Sequence, residues 1–252
     1  MARLFVTANS TNANNSNAVL KDYPFTVMGW FKCASNPATN GMEIFLIYNS
    51  GNSSLDNIGV SVQQTTAVLG GFVSTSGGSY HAVITGSSIT AGAWHSFAYV
   101  GVSSTSRIIY LDGGSPATDT NGSTFGLSQN TTEIGAFITS ACFDGSLAEI
   151  CCWNAALTAG EVAAFNAGAR AHQIRPASIV GYWPLDGLSS PEPDLSGSAH
   201  NMTLTGSPAQ ANGPPISVFT RRQPLSTISV ASSFIPAWAV PSNKISSGGY
   251  AT

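Results

Sequence analysis

Short apolar runs, broken every few positions by Gly, Ser, Asn or Thr, fill the first 153 positions of this chain, and helical periodicity is nearly absent. A chain punctuated this way cannot build long helices and must pair short strands, as in a sandwich or barrel. The runs predict strands over residues 24–32, 43–49, 57–64, 67–74, 79–85, 94–102, 106–113, 133–137 and 145–153. Asp112-Gly113 and Asn121-Gly122 are turn dipeptides. One helix is predicted, two or three turns long. Thr158 and Glu161 form a capping-box pair at its start, and Val162, Phe165 and Ala169 follow at helical spacing.

Charge narrows the options further. Charged residues are 8% of the 252 positions, against about 25% in an average soluble domain. Hydrophobic residues reach 43%, so the chain is not of the disordered type. Net charge is −3 with no basic stripe, which argues against a nucleic-acid grip. No apolar run approaches the ~20 residues that span a membrane. MARLFVTANS lacks the apolar core of a signal peptide, so the sequons at Asn52, Asn121 and Asn130 are read as unused.

The stretch FDGSLAEICCWNAAL places two cysteines side by side, Cys151 and Cys152. On a strand, alternate residues face opposite ways. Strict alternation puts Leu147, Glu149, Cys151 and Trp153 on one face and Ala148, Ile150 and Cys152 on the other. The two thiols then point apart and cannot share a metal, and a disulfide between them would be strained. With Cys33 and Cys142, all four are read as free, buried packing residues.

Four stretches together resemble the concanavalin A-like lectin/glucanase superfamily, in particular its laminin-G-like jelly-roll domains: PFTVMGWFK, AGAWHSFAYV, IIYLDGG and FDGSLAEICCWNAALTAGEVAAF. The resemblance covers residues 2–170. It implies an all-β, two-sheet antiparallel jelly-roll sandwich with one short helix. Residues 1–213 form that sandwich, and 214–252 an extended, Pro-punctuated C-terminal arm. VGYWPLDG…DLSGSAHNMTLTG is similar to the stretch that usually opens such domains, yet here it follows the helix. Residues 176–213 therefore either complete a permuted sandwich or start a truncated second copy.

The chemistry is sparse. Glycosidases need paired carboxylates. Catalytic members of the superfamily carry Glu-x-Asp-x-x-Glu on one strand, and nothing of the kind occurs here. Glu43 stands alone, and Glu149 has Leu147 and Cys151 as same-face neighbours. His81 and His95 lie inside strands and read as structural, His172 and His200 as isolated, and there is no G-x-S-x-G elbow. The chain is thus expected to be no enzyme and to need no cofactor. A structural Ca²⁺, as in some relatives, would draw on Asp112, Asp119, Asp144 and Asn154, but no dense acidic loop exists. Sugar binding, frequent in the superfamily, needs an aromatic platform, for which Tyr48, Tyr80 and Trp94 are candidates.

Two functions follow. Sandwich, hairpin segment and Pro-rich tail together look like proteins of tailed-phage structural modules. They imply a non-enzymatic virion protein, a capsid decoration or cement protein assembled in the host cytoplasm. It would exist as an oligomer or multicopy lattice, and its arm would seat Phe219, Arg221, Arg222, Phe234, Ile235, Trp238 and Tyr250 against a major capsid protein or other virion protein. The alternative is a lectin-like adhesion module that binds host-surface glycans, either free or displayed on a virion tail or fibre. Neither involves nucleic acid or a membrane.

Overall fold

Fifteen strands among the described residues pair, all antiparallel, into two sheets of a jelly-roll sandwich. The structure, a computed structural model, describes residues 1–37, 41–51, 56–64, 66–75, 79–114, 116–124, 128–137, 141–187 and 189–216. In chain order the strands are β1 (Ala2–Phe5), β2 (Asn12–Asn15), β3 (Phe25–Cys33), β4 (Met42–Tyr48), β5 (Ile58–Val62), β6 (Val68–Ser74), β7 (Tyr80–Ser88), β8 (His95–Ser103), β9 (Ser106–Leu111), β10 (Ala117–Asp119), β11 (Thr131–Ile134), β12 (Gly145–Trp153), β13 (Ile179–Trp183), β14 (Thr203–Thr205) and β15 (Ala209–Ala211). The first sheet runs β10-β9-β8-β3-β12-β1-β15, with β13 also on β12; the second runs β14-β2-β11-β4-β5-β6-β7. Every strand expected from the apolar runs is present. The helix α1 (Ala159–Asn166) starts at Thr158, whose Oγ1 accepts the Glu161 N–H while Glu161 Oε2 accepts the Thr158 N–H. That exchange satisfies two orphan amides of the first turn.

The inner faces meet in one cluster that includes Phe5, Phe25, Phe31, Phe45, Phe97, Tyr99 and Trp183. Each large side chain buried there contributes roughly 1.5–3 kcal/mol. A second cluster covers the outer face of the first sheet, where Trp30, Trp153 and Tyr182 meet Val162 and Phe165 of α1. Trp153 Nε1 donates to the Ile174 carbonyl at 2.9 Å, so the indole is buried without losing its polar bond.

Strict alternation fails in β12, which corrects the expected faces of Leu147 and Ala148. Leu147, Ile150 and Cys152 lie in the inner cluster, and Ala148, Cys151 and Trp153 in the outer one. The register to β3 slips between Ala148 and Cys151, so two residues of β12 oppose Gly29 alone. Glu149 takes the extra position in the left-handed region, φ 54°. Gly29 is required opposite it, since a Cβ there would lie 2.4 Å from Ile150 Cδ1. The two cysteines still point to opposite faces, and all four are free and buried.

Glu149 is itself enclosed. Arg170 Nη1 donates to it at 2.8 Å and the Tyr182 hydroxyl at 2.5 Å, so it does not merely neighbour Leu147 and Cys151. The bulge falls where one edge of β12 changes partner, from β1 at Gly145–Leu147 to β13 at Ile150–Trp153. The segment after the helix places two strands in the first sheet, β13 on β12 and β15 on β1, and one in the second, β14 on β2. Asp194 folds the stretch between them, accepting the amides of Tyr182, Ser196 and His200. Arg3 ties it to β1 through Glu192 (2.6 Å) and the carbonyls of Pro208 and Ser189.

At the far edge of the first sheet, Arg107 is fully buried. It donates to Asp119 Oδ2 and the Asn121 carbonyl at 2.5 Å each, to the Ser104 carbonyl at 2.7 Å and to the Tyr23 hydroxyl at 3.1 Å. Burial alone would raise the Asp119 carboxyl, but the Arg107 guanidinium and the Asn121 bonds hold it below its ordinary value. Truncating one partner of such a pair strands the other charge. Asp119→Ala should cost about 3–5 kcal/mol in urea unfolding, with much of the loss recovered when Arg107→Met is added. A double variant as unstable as the single would show that the pair is not the cause.

Candidate functional site

The outer face of the second sheet carries groups a core does not need. A bulge in β4 creates it. The pairing with β5 slips between Glu43 and Phe45, and Ile44 and Phe45 both turn into the core. Without the extra residue, Glu43 would face inward. With it, Glu43 follows Tyr48 and Leu46 along the outer face.

Glu133 of β11 pairs with Leu46 and faces the same way, with its charge felt at Glu43. Both carboxyls are nearly closed off, at 5% and 2% exposure. Burial first, and Glu133 second, lift the Glu43 carboxyl well above its ordinary value. A main-chain bond from Val60 opposes that rise, while Glu43 Oε1 has no hydrogen-bond partner among the described residues. Tyr48 is hydrogen-bonded to Glu133, and burial together with that carboxylate pushes its phenol up to about 12.

Two glycines flatten the strip beside the acids. The Phe72 ring lies over Gly59, where a Cβ would also sit 2.8 Å from Glu43 Oε1. The Gln63 amide lies over Gly70 and donates to Ser61 Oγ at 2.9 Å. Tyr80 leans on Phe72 with ring centroids 5.4 Å apart, and is 57% exposed. Ile84 is 47% exposed on the same edge strand. The result is an open aromatic step and a partly exposed planar amide on one sheet face, above a buried carboxyl. Such a surface can stack on a sugar's apolar face and bond its hydroxyls.

Of the aromatic candidates, Tyr48 and Tyr80 share this face. Trp94 does not; it packs on the outer cluster of the first sheet, with Lys32 Nζ 5.6 Å from its ring centroid. Glu43 does not stand alone, which corrects the sequence reading. Its partner lies 90 positions away on a neighbouring strand.

The other candidates fall apart in space. His95 Nδ1 bonds Asp112 Oδ2 at 2.7 Å, and its Nε2 meets the Thr90 main chain. The Asp112 bond raises the imidazole above its ordinary value. Asp119 belongs to Arg107, and among the described residues no three His, Cys, Asp or Glu side chains come together as metal ligands. Phe219, Arg221, Arg222, Phe234, Ile235, Trp238 and Tyr250 lie outside the described residues.

The Laminin_G_3 model of the concanavalin A-like lectin/glucanases superfamily matches residues 7–163. Among solved structures, the chain is similar to a protein from Bacteroides ovatus described as carbohydrate-binding (TM-score 0.59, 16% identity, covering 86% of this chain and 61% of that one). It is also similar to a heptameric pentraxin from Limulus polyphemus (0.51, 18%, 64% and 77%). Domain 4 of the extracellular arabinanase AbnA from Geobacillus stearothermophilus, solved with arabinotriose, is similar too (0.51, 17%, 60% and 69%). At these identities the likeness establishes the fold. No curated protein matches by sequence. The chain belongs to the concanavalin A-like lectin/glucanases superfamily, through its Laminin_G_3 family.

The acid at Glu43 makes a pH prediction. A folded value raised above the ordinary 4.5 means the native state holds a proton the unfolded chain has lost. Stability from this group is therefore fully present below about pH 4.5 and declines as pH rises, at a slope approaching ~1.4 kcal/mol per pH unit. Glu43→Gln should melt above the parent at pH 8 and alongside it at pH 4. Equal melting shifts at both pH values would show that Glu43 is ionised in the fold.

Proposed function

We propose that this domain binds glycans without hydrolysing them, through the strip of Tyr80, Phe72 and Gln63 above Glu43. The observation that carries this reading is Tyr80, an exposed ring stepped onto Phe72 on the open face of the second sheet. Two of the similar structures, the Bacteroides ovatus protein and the arabinanase domain, are sugar binders by their own descriptions, which supports the class of ligand. Hydrolysis is disfavoured because glycoside cleavage needs two carboxyls at the scissile bond. Glu43 and Glu133 are sealed beneath the surface instead.

Tyr80→Ala should lower affinity for whichever glycan an array identifies by at least about tenfold, or ~1.4 kcal/mol, while leaving the melting temperature close to the parent's. Unchanged glycan binding by that variant would remove the strip from consideration.

A second reading rests on the amino-acid sequence of residues 214–252, whose prolines and large apolar residues suit an extended segment held by another polypeptide. On that reading the domain is a virion decoration protein, present in many copies, that displays its glycan-binding face outward. Removing residues 215–252 should then abolish attachment to particles and leave glycan binding intact. Attachment that survives the truncation would exclude an arm-mediated anchor.

A further inference from the structure

Three segments converge at one end of the first sheet: residues 22–24 before β3, 102–104 at the end of β8, and Thr124 after β10. Between them lies a cleft of about 390 Å³. Its volume is at the lower end of the ~300–1,000 Å³ typical of small-molecule sites. It lies on the opposite sheet from the Tyr80 strip.

The cleft is built rather than incidental. Arg107 stands behind its wall, gripping the Tyr23 hydroxyl and the Ser104 carbonyl with one nitrogen and Asp119 and the Asn121 carbonyl with another. The Tyr23 hydroxyl donates in turn to the Ser123 carbonyl at 3.2 Å, and the Ser123 amide to the Ser104 carbonyl at 2.8 Å. All three segments are thereby referred to one buried guanidinium. The Tyr23 ring is backed by Phe25, stacked at 5.4 Å. Val102 is 42% exposed at the cleft, an apolar side chain left open to water.

The lining chemistry is mixed in a specific way. Tyr23 and Val102 offer apolar surface. Ser103, Ser104 and Thr124 carry hydroxyls that both donate and accept, and Asp22 adds an acceptor. Among the described residues no cationic side chain lines the cleft, and Arg107, just behind it, has no exposed surface and is neutralised by Asp119. An anionic ligand would find no partner and would meet Asp22. A pyranose offers what the walls lack, an apolar C–H face with hydroxyls around its rim.

We propose that the cleft between Tyr23, Val102, Ser103 and Thr124 is a second binding site, for a neutral saccharide. This site does not depend on the Tyr80 strip being a glycan site.

The test is a titration of the isotope-labelled full chain with methyl glycosides of glucose, galactose and mannose, and separately with 3′-sialyllactose, followed by amide chemical shifts. One of the neutral glycosides should move the amides of Asp22, Tyr23, Val102, Ser103, Ser104 and Thr124 together and to saturation. Val102→Glu should weaken that response about tenfold, and Thr124→Arg should block it, while Tyr80→Ala should leave it unchanged. If a variant fails to fold, the map on the parent chain still decides. Shifts confined to the surroundings of Tyr80 and lost in Tyr80→Ala would overturn the second site and leave the proposed function standing. No response to any neutral glycoside, or a response at the cleft to 3′-sialyllactose alone, would overturn it too.

Discussion

One extra residue in β12 sets how the first sheet presents its two faces. Glu149 occupies the slot with a left-handed backbone, and everything C-terminal to it shifts by one position. Ile150 and Cys152 then enter the sandwich beside Leu147, while Cys151 and Trp153 go beneath α1. A strand of strict period two would send Leu147 outward or Ile150 and Cys152 outward, because one slip exchanges the faces. Holding a left-handed glutamate costs of order 1–3 kcal/mol. The bonds from Arg170, Tyr182 and, through its own amide, the Pro184 carbonyl offset that cost. The bulge also marks where β1 ends along β12 and β13 begins, so the N-terminal strand and the segment after the helix share one edge.

The second sheet uses the same device for a different end. The bulge in β4 sends Ile44 and Phe45 inward together and delivers Glu43 to the outer face, next to Glu133. Two carboxyls packed away from water disfavour double ionisation, and Glu43 Oε1 finds no hydrogen-bond partner among the described residues. A sealed acid pair is poorly placed to attack a sugar. It still shapes the polarity of the strip above it, where Tyr80 and Gln63 reach solvent or approach it. The family supplies the scaffold, and the strip proposed above for recognition is a handful of side chains laid flat over Gly59 and Gly70.

Much of the architecture is legible in the sequence because long strands repeat their signal. The nine apolar runs, the Thr158–Glu161 cap and the opposed cysteines all depend on local rules and all appear in the fold. Asn12–Asn15 is a strand with a single apolar residue, so no alternation announces it; its partners in β11 and β14 do. Bulges are invisible to a period-two reading, and the two residues assigned to the wrong face, Leu147 and Ala148, lie just before one. The acid pair was beyond reach for the same reason, since it joins residues 43 and 133 through sheet order alone. Tyr48 and Tyr80 were identifiable as aromatics of interest, but the Phe72 step and the bare Gly59 beneath it required the register of β5 and β6.

The pairing of β1 with β15 has a mechanical consequence. Ala2 lies opposite Ala211 and Leu4 opposite Ala209, and the main chain of Gly213 rests against Met1. A tension drawing residues 1 and 213 apart acts across the ladder rather than along it, so the ladder opens one hydrogen bond at a time, at low force. Behind it stands Arg3, gripping Glu192, Pro208 and Ser189 at once. The domain would yield softly at this corner under load until that cluster, which must break as a unit, stops the tear.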